Sequence, residues 1–269
     1  MKKRIIITFI ATLVLLGLVA GFFFFKEIKT SNADYYYSLA QEYVASEDHD
    51  KAMYNANKAI EIDPSFKDAY KIRNHINLVN DDFDALIEDF EKLIDIEGGD
   101  FIKYRDLSTL YQLKENYEKA LYYADLALNE DSEYYFFPLN LKAISLFKLG
   151  EFGSAKKSFH KAYEEILGKN KRGLNDKELI RGFFVPYSLT LEKLENADEA
   201  RNILTDALKY HKDSNLIYER LGLIEASHYG NKEKSLNYFK KAKEFGSNQI
   251  NPEELVRTLI EDRSLNSSF

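Results

Sequence analysis

Few side chains in this chain are suited to chemistry near neutral pH, and their spacing does not gather them. The histidines are His49, His75, His160, His211 and His228. None stands four residues from another, the spacing that puts two imidazoles on one helix face for a metal. Cysteine is absent, which removes thiolate nucleophiles, disulfides and thiolate-held zinc or iron–sulfur sites. The sequence contains neither G-x-x-x-x-G-K-[ST] nor G-x-G-x-x-G, so no loop is available to cradle a nucleotide phosphate. Asp81, Asp82 and Asp84 cluster but lack the glycine and closing glutamate of a calcium loop. They read as helix caps and solvated charge. Scattered serines and aspartates define no triad. No catalytic residue, metal ligand or cofactor is assigned, and the chain reads as a non-enzyme.

The elements that could position a binding site are more legible. With 12 Gly and 4 Pro in 269 residues, the chain is poor in the residues that turns between strands consume. Long helices joined by short loops are expected. Aromatics are plentiful, with 19 Tyr and 19 Phe, enough for a core of large side chains. The net charge of −7 understates the acidity of the main body. Lys2, Lys3, Arg4, Lys26 and Lys29 all fall in the first thirty residues. The acidic remainder repels phosphate backbones, so nucleic acid is not expected as a partner.

Ile5 to Phe25 contains no charged residue. As a helix it spans roughly 30 Å, the thickness of a bilayer's hydrocarbon core. The basic cluster before it places the N-terminus on the cytoplasmic side and the rest of the chain on the opposite side. Residues 1–30 are therefore expected to form a transmembrane anchor with a basic flank. The competing reading is a signal peptide cleaved near Leu18-Val19-Ala20, which would release the rest as a secreted protein. Gly17 and Gly21 form a G-x-x-x-G pair that allows a homodimer through close helix approach.

Beyond residue 33 the chain repeats itself. Tyr36, Leu39 and Tyr43 recur as Tyr104, Leu107 and Tyr111, while Lys51, Ala52, Tyr54, Ala56 and Ala59 recur as Lys119, Ala120, Tyr122, Ala124 and Ala127. Ser108 stands where Ala40 does. Tyr36, Leu39, Ala40 and Tyr43 follow helical spacing. A polar turn over Ser46–Asp50 then leads to a second helix with Ala52, Ala56 and Ala59 on one side. Small residues there let two backbones approach while Tyr and Leu fill the gaps. Pro64 cannot continue a helix.

These residues resemble the tetratricopeptide-repeat (TPR) pattern W-x2-L-G-x2-Y, A-x3-F, P. Tyr36 takes the Trp place, Leu39-Ala40 the Leu-Gly place, and Tyr43 matches directly. Ala52, Ala56 and Pro64 take the Ala, Phe and Pro places. The resemblance implies an all-α fold, a right-handed superhelix of helical hairpins, behind a single transmembrane helix. About six repeats cover 33–249, at 33–66, 67–100, 101–134, 136–169, 181–214 and 215–249. Repeat two is degenerate: Arg73 and Asn77 stand where Leu and Tyr are expected, and its first helix is expected to pack through Ile72, Ile76 and Val79. The Asn251-Pro252-Glu253-Glu254 start predicts a capping helix over 251–263, with Leu255, Leu259 and Ile260 on its apolar side. Ile166 to Asp176 is expected to be an inserted loop, with a basic contact patch as the alternative. Pro186 predicts a late start or kink in the first helix of repeat five, beside Phe183 and Phe184 in the core.

In this family the first helices of the repeats line a surface that binds peptides or partner helices. Carrying those places over gives Tyr37, Gln41, Lys71, His75, Arg105 and Thr109, then Asn140, Ile144, Phe147, Leu189 and Leu223. Some members grip a terminal carboxylate with a Lys/Asn/Asn/Lys/Arg set. Here Tyr37 and Gln41 replace the first pair, and Ile102 and Asp106 replace the last. The expectation is a membrane-tethered scaffold that binds other proteins. A cytosol-facing organellar receptor, or an enzyme or regulator with a site formed between repeats, are the alternatives.

Overall fold

A computed structural model describes residues 15–19, 21, 32–130, 135–169, 180–247 and 251–266. Every regular element among them is helical. Among the described residues no helix is long and apolar enough to cross a membrane. The apolar run 5–25 lies outside them apart from Leu15–Val19 and Gly21, as does the basic part of the insertion, Asn170 to Gly173.

The chain divides into two compact units, Met1–Lys103 and Tyr104–Phe269. The first holds α1 (32–45), α2 (His49–Ile62), α3 (Lys67–Val79) and α4 (Phe83–Glu97). The second begins within α5 (Phe101–Leu113). It continues through α6 (Tyr117–Asn129), α7 (Phe136–Lys148), α8 (Phe152–Lys169), α9 (Val185–Lys193), α10 (Ala197–Ala207), α11 (Asn215–Ser227), α12 (Lys232–Glu244) and α13 (Pro252–Asn266).

One turn design joins the two helices of each hairpin. The residue two before the second helix adopts positive φ: Glu47, Asp81, Glu115, Gly150, Glu195 and Gly230. The next residue then donates its N–H back across the turn. Asp48 N reaches Tyr43 O at 2.9 Å, Asn116 N reaches Tyr111 O at 2.9 Å, and Asn196 N reaches Leu191 O at 2.9 Å. This is a Schellman closure, which satisfies carbonyls left open at a helix end. The same donor residue caps the following helix. Asp48, Asp82, Asn116, Asn196 and Asn231 accept from the backbone N–H three residues on. Asp82 of the acidic cluster is therefore a cap. In the last of these turns Asn231 N reaches Glu225 O, a loop longer by one residue, and glycine stands at the positive-φ position.

Within the hairpins, helices cross where both side chains are small. Ala40 and Ala52, Ser108 and Ala120, Ala143 and Ala155, and Ser188 and Ala200 are all fully buried. Ser108 Oγ donates to Ala120 O at 2.7 Å, and Ser235 Oγ donates to Gly222 O at 2.7 Å. A methyl group on Gly222 would lie 3.0 Å from the Phe239 ring.

The α3–α4 hairpin departs from this rule, with Asn74 and Leu86 at the crossing places. It holds a polar pair instead. Arg73 forms a two-pronged ion pair with Asp89, which is 1% exposed, and donates to Asn57 Oδ1 at 3.0 Å. The guanidinium also lies over the Tyr70 ring. Asp89 holds it above its usual pKa range, against the opposing effect of burial. The residue expected to be a packing leucine is thus an interhelical tie. Ile76 is buried as expected, but Val79 is 55% exposed, because it sits at the last residue of α3 beside the turn.

In the second unit α8 runs on to Lys169, and Ile166 is buried in the core. The insertion therefore does not begin as a loop at Ile166; its first four residues extend the helix. Phe183 and Phe184 are buried against Phe159, Tyr163 and Tyr187. Pro186 lies in the first turn of α9, and Ile180–Phe184 before it forms a turn of π-helix. Helix α13 covers Ala226 and Phe239 through Val256, with Leu255, Leu259 and Ile260 packed around them.

Two stability effects are expected. Replacing Glu115 by Gly relieves left-handed strain and should raise the unfolding free energy read from urea denaturation by about 0.5–1 kcal/mol, whereas Gly150→Ala should lower it by about 1 kcal/mol. Asp89→Ala strands the Arg73 charge and should cost about 3–5 kcal/mol; Asp89→Leu paired with Arg73→Met should recover much of that loss.

Candidate functional site

The side chains suggested as a binding face fall on the first helices of the hairpins, and the two units present different chemistry. In the first unit Gln41 Nε2 donates to Tyr37 Oη at 2.9 Å, and the Tyr37 ring meets Phe66 edge-on. Lys71 pairs with Asp68 one turn earlier at 2.9 Å, and that bond holds its ammonium above the usual range. The His75 and His49 rings lie 6.3 Å apart. Among the described residues no group of three His, Cys, Asp or Glu could hold a metal ion.

In the second unit hydrogen bonds set α5, α7, α9 and α11 side by side. Gln112 on α5 donates to Leu141 O at 2.7 Å and to Ser145 Oγ at 2.9 Å on α7. Asn140 on α7 donates through Nδ2 to Gly182 O at 2.8 Å, just before α9. Arg220 on α11 pairs with Glu192 on α9, and His228 Nε2 lies 3.5 Å from the other carboxylate oxygen. Arg105 is held by its neighbour Asp106, and Thr109 donates to Arg105 O at 3.0 Å. Ile144 and Phe147 are half-buried on the core, while Leu189 and Leu223 are half-buried on α9 and α11.

Asn140 has an internal task that its sequence position did not reveal. Pro186 has no N–H to give the carbonyl four residues earlier, which is Gly182. The chain opens into π geometry there, and the Asn140 amide supplies a donor from α7. Burial raises the hydroxyl pKa values of Tyr163 and Tyr187 in the adjoining core, with Asp206 and Glu199 adding to the effect. Tyr229, in the turn after α11, is pushed up to about 12 by burial and its bond to Asp198.

Comparison with known proteins follows from this geometry. Residues 33–66 match the tetratricopeptide-repeat family model. No curated protein sequence matches the chain. Among solved structures, PilW, described as a widely conserved type IV pilus biogenesis factor, superimposes with a TM-score of 0.60 at 17% identity, covering 84% of this chain and 98% of PilW. YrrB, described as a TPR protein with an unusual peptide-binding site, gives 0.57 at 20% identity, covering 72% and 95%. The Cut9–Hcn1 complex of the APC/C gives 0.58 at 15% identity; there 88% of this chain covers 45% of the other, so this chain spans under half its length.

The fold is the all-helical fold of tetratricopeptide-repeat proteins.

On that TPR frame, Gln41, Lys71, Arg105 and Thr109 hold partners within the chain, as does the Asn140 Nδ2 while its Oδ1 is buried without one, and the apolar side chains are only half covered. Sequence reasoning passed over Phe137, which is 53% exposed. The signal was present: Phe137, Asn140, Ile144 and Phe147 keep helical spacing along one side of α7. It also passed over the Glu192–Arg220 pair, because the partners are 28 residues apart and on different helices.

Asn140→Ala should cost about 1–2 kcal/mol by withdrawing a donor from a buried carbonyl. In a Pro186→Ala background, where residue 186 regains its N–H, the loss should shrink to a few tenths. Equal losses in both backgrounds, measured by thermal unfolding, would disprove the link between Asn140 and Pro186.

Proposed function

We propose that the protein is a non-enzymatic scaffold that binds other proteins on the first-helix face of its repeats. We further propose that it is held at a membrane by residues 5–25, with the repeats on the extracytoplasmic side. The observation that carries the binding role is the partly open apolar side of α7, where Phe137 is 53% exposed and Ile144 half-buried, with Leu189 half-buried on α9. Exposed contiguous apolar surface marks a place for a partner. The peptide-binding site described for YrrB, on the same fold, agrees with that role.

The tether rests on the uncharged run and its preceding basic cluster. The fragment Leu15–Val19 is helical, with Leu15, Leu16 and Leu18 at least 60% exposed. Such side chains suit lipid better than water. A methyl group placed on Gly17 or Gly21 would meet nothing within 4 Å, which leaves that side open to a second copy of the helix. Confinement at a membrane raises the effective concentration of the repeats toward membrane-bound partners.

The full chain is expected to stay in the membrane pellet at alkaline pH, and removal of residues 1–30 is expected to release it. A reporter active only outside the cytoplasm should work when fused after Phe269. Activity of a cytoplasmic reporter at that position would reverse the proposed topology. A mature form starting after residue 20 would replace the anchor by a cleaved leader.

A further inference from the structure

We infer that the first hairpin docks on the lipid surface beside its own anchor, with Tyr35 and Tyr54 set in the headgroup layer. This rests on the tether proposed above and goes beyond it. A tether alone leaves the repeats free to swing, whereas a lateral contact fixes how they stand on the bilayer.

The patch is built from two helices. Tyr35 on α1 is 60% exposed and Tyr54 on α2 is 59% exposed. The Tyr35 ring meets Tyr36 edge-on, with centroids 5.5 Å apart. The Lys58 ammonium lies 5.8 Å from the centroid of the Tyr54 ring. Glu61, at 2.6 Å, holds that ammonium above its usual range, and Tyr54 and Tyr36 add to the effect. Lys58 thus joins the rings of both helices into one surface.

Tyrosine is apolar along its ring and polar at its tip. It collects where one side is greasy and the other wet, as at the edges of a bilayer. Lysine suits the same place, with its stem on apolar surface and its head in water.

Repeat inheritance does not account for the patch. Tyr54 recurs as Tyr122, which is also 59% exposed. In the third repeat, however, Lys103 and Leu126 stand where Tyr35 and Lys58 do. Lys103 is turned to another task, buried against Glu97 and Asp100. Of these two hairpins, the one with the full set is the one next to the uncharged run. Lys26 to Ser31 separate that run from α1. Even fully extended, they keep the start of α1 within about 25 Å of Phe25. Such reach gives a weak contact a high effective concentration. At the other end of the array, α13 covers the last hairpin with protein.

The chain contains no Trp, so one substitution supplies a unique emitter. Tyr35→Trp, Tyr54→Trp and Tyr122→Trp are made separately in the full chain. Each is placed in phosphatidylcholine nanodiscs, with and without bromine on the upper acyl chain as a short-range quencher. A zwitterionic lipid is used because the chain beyond its first thirty residues is acidic and anionic headgroups repel it. Trp at 35 and at 54 should lose most of its emission in the brominated discs, and Trp at 122 should keep its own. Adding Tyr54→Ser to the Tyr35→Trp chain, with the fold checked by circular dichroism, should restore much of the lost emission. The inference is overturned if 35 and 54 are quenched no more than 122, or if Tyr54→Ser changes nothing. Blue-shifted but unquenched emission at 35 would also overturn it, because protein rather than lipid would then cover the patch. A chain that inserts with all three emitters unquenched removes this inference alone. A chain that stays out of the discs removes the tether as well.

Discussion

The close crossing of two helices at a pair of small side chains is the contact on which the rest of this fold depends. Where Ser108 meets Ala120 and Gly222 meets Ser235, a side-chain hydroxyl reaches the facing backbone carbonyl at 2.7 Å. Backbones at that separation leave no room for a larger group, as the Phe239 ring against Gly222 makes plain. The crossing also fixes which sides of each helix remain open. With one side of α7 held on α8 through Ala143 and Ala155 and Phe147 packed on Phe152 of α8, the adjoining side carrying Phe137 and Ile144 stays partly open.

The helical class was legible because its signals are local. The alanines at helical spacing, the Asp and Asn caps and the scarcity of glycine act within a few residues of where they stand. Recurrence of the same residue at eight positions then multiplies a weak local signal. The polar interior was less legible. Arg73 looked like an interruption of an apolar pattern, and its partner Asp89 lies on the next helix. Val79 looked like core by spacing alone, but it ends α3, where the chain leaves the packed surface. Ile166 looked like the start of an insertion, yet helix propagation costs little once a core awaits the next turn. In each case the deciding partner sits far away in sequence.

The candidate face was legible in its outline and not in its energetics. Its positions come from the repeat resemblance, which places side chains without saying what they already hold. Asn140 shows the difference. By position it offers an amide to a ligand; in the folded chain its donor compensates for a proline 46 residues later in the sequence. Gln112, Arg105 and Lys71 are likewise engaged by neighbours. A count of polar residues on the face would therefore suggest a polar ligand, and the bonds they make point the other way.

That reversal has a physical basis. A helical-hairpin array exposes many helix sides, and each polar group left half-buried there must find a partner or lose hydration uncompensated. Satisfying such groups within the protein fixes their positions before any ligand arrives. It lowers the cost of ordering on association, but it also removes those groups from recognition. What remains able to discriminate among partners is shape and apolar area. Glu192 illustrates the trade: paired with Arg220 and 3.5 Å from His228 Nε2, it braces α9 against α11.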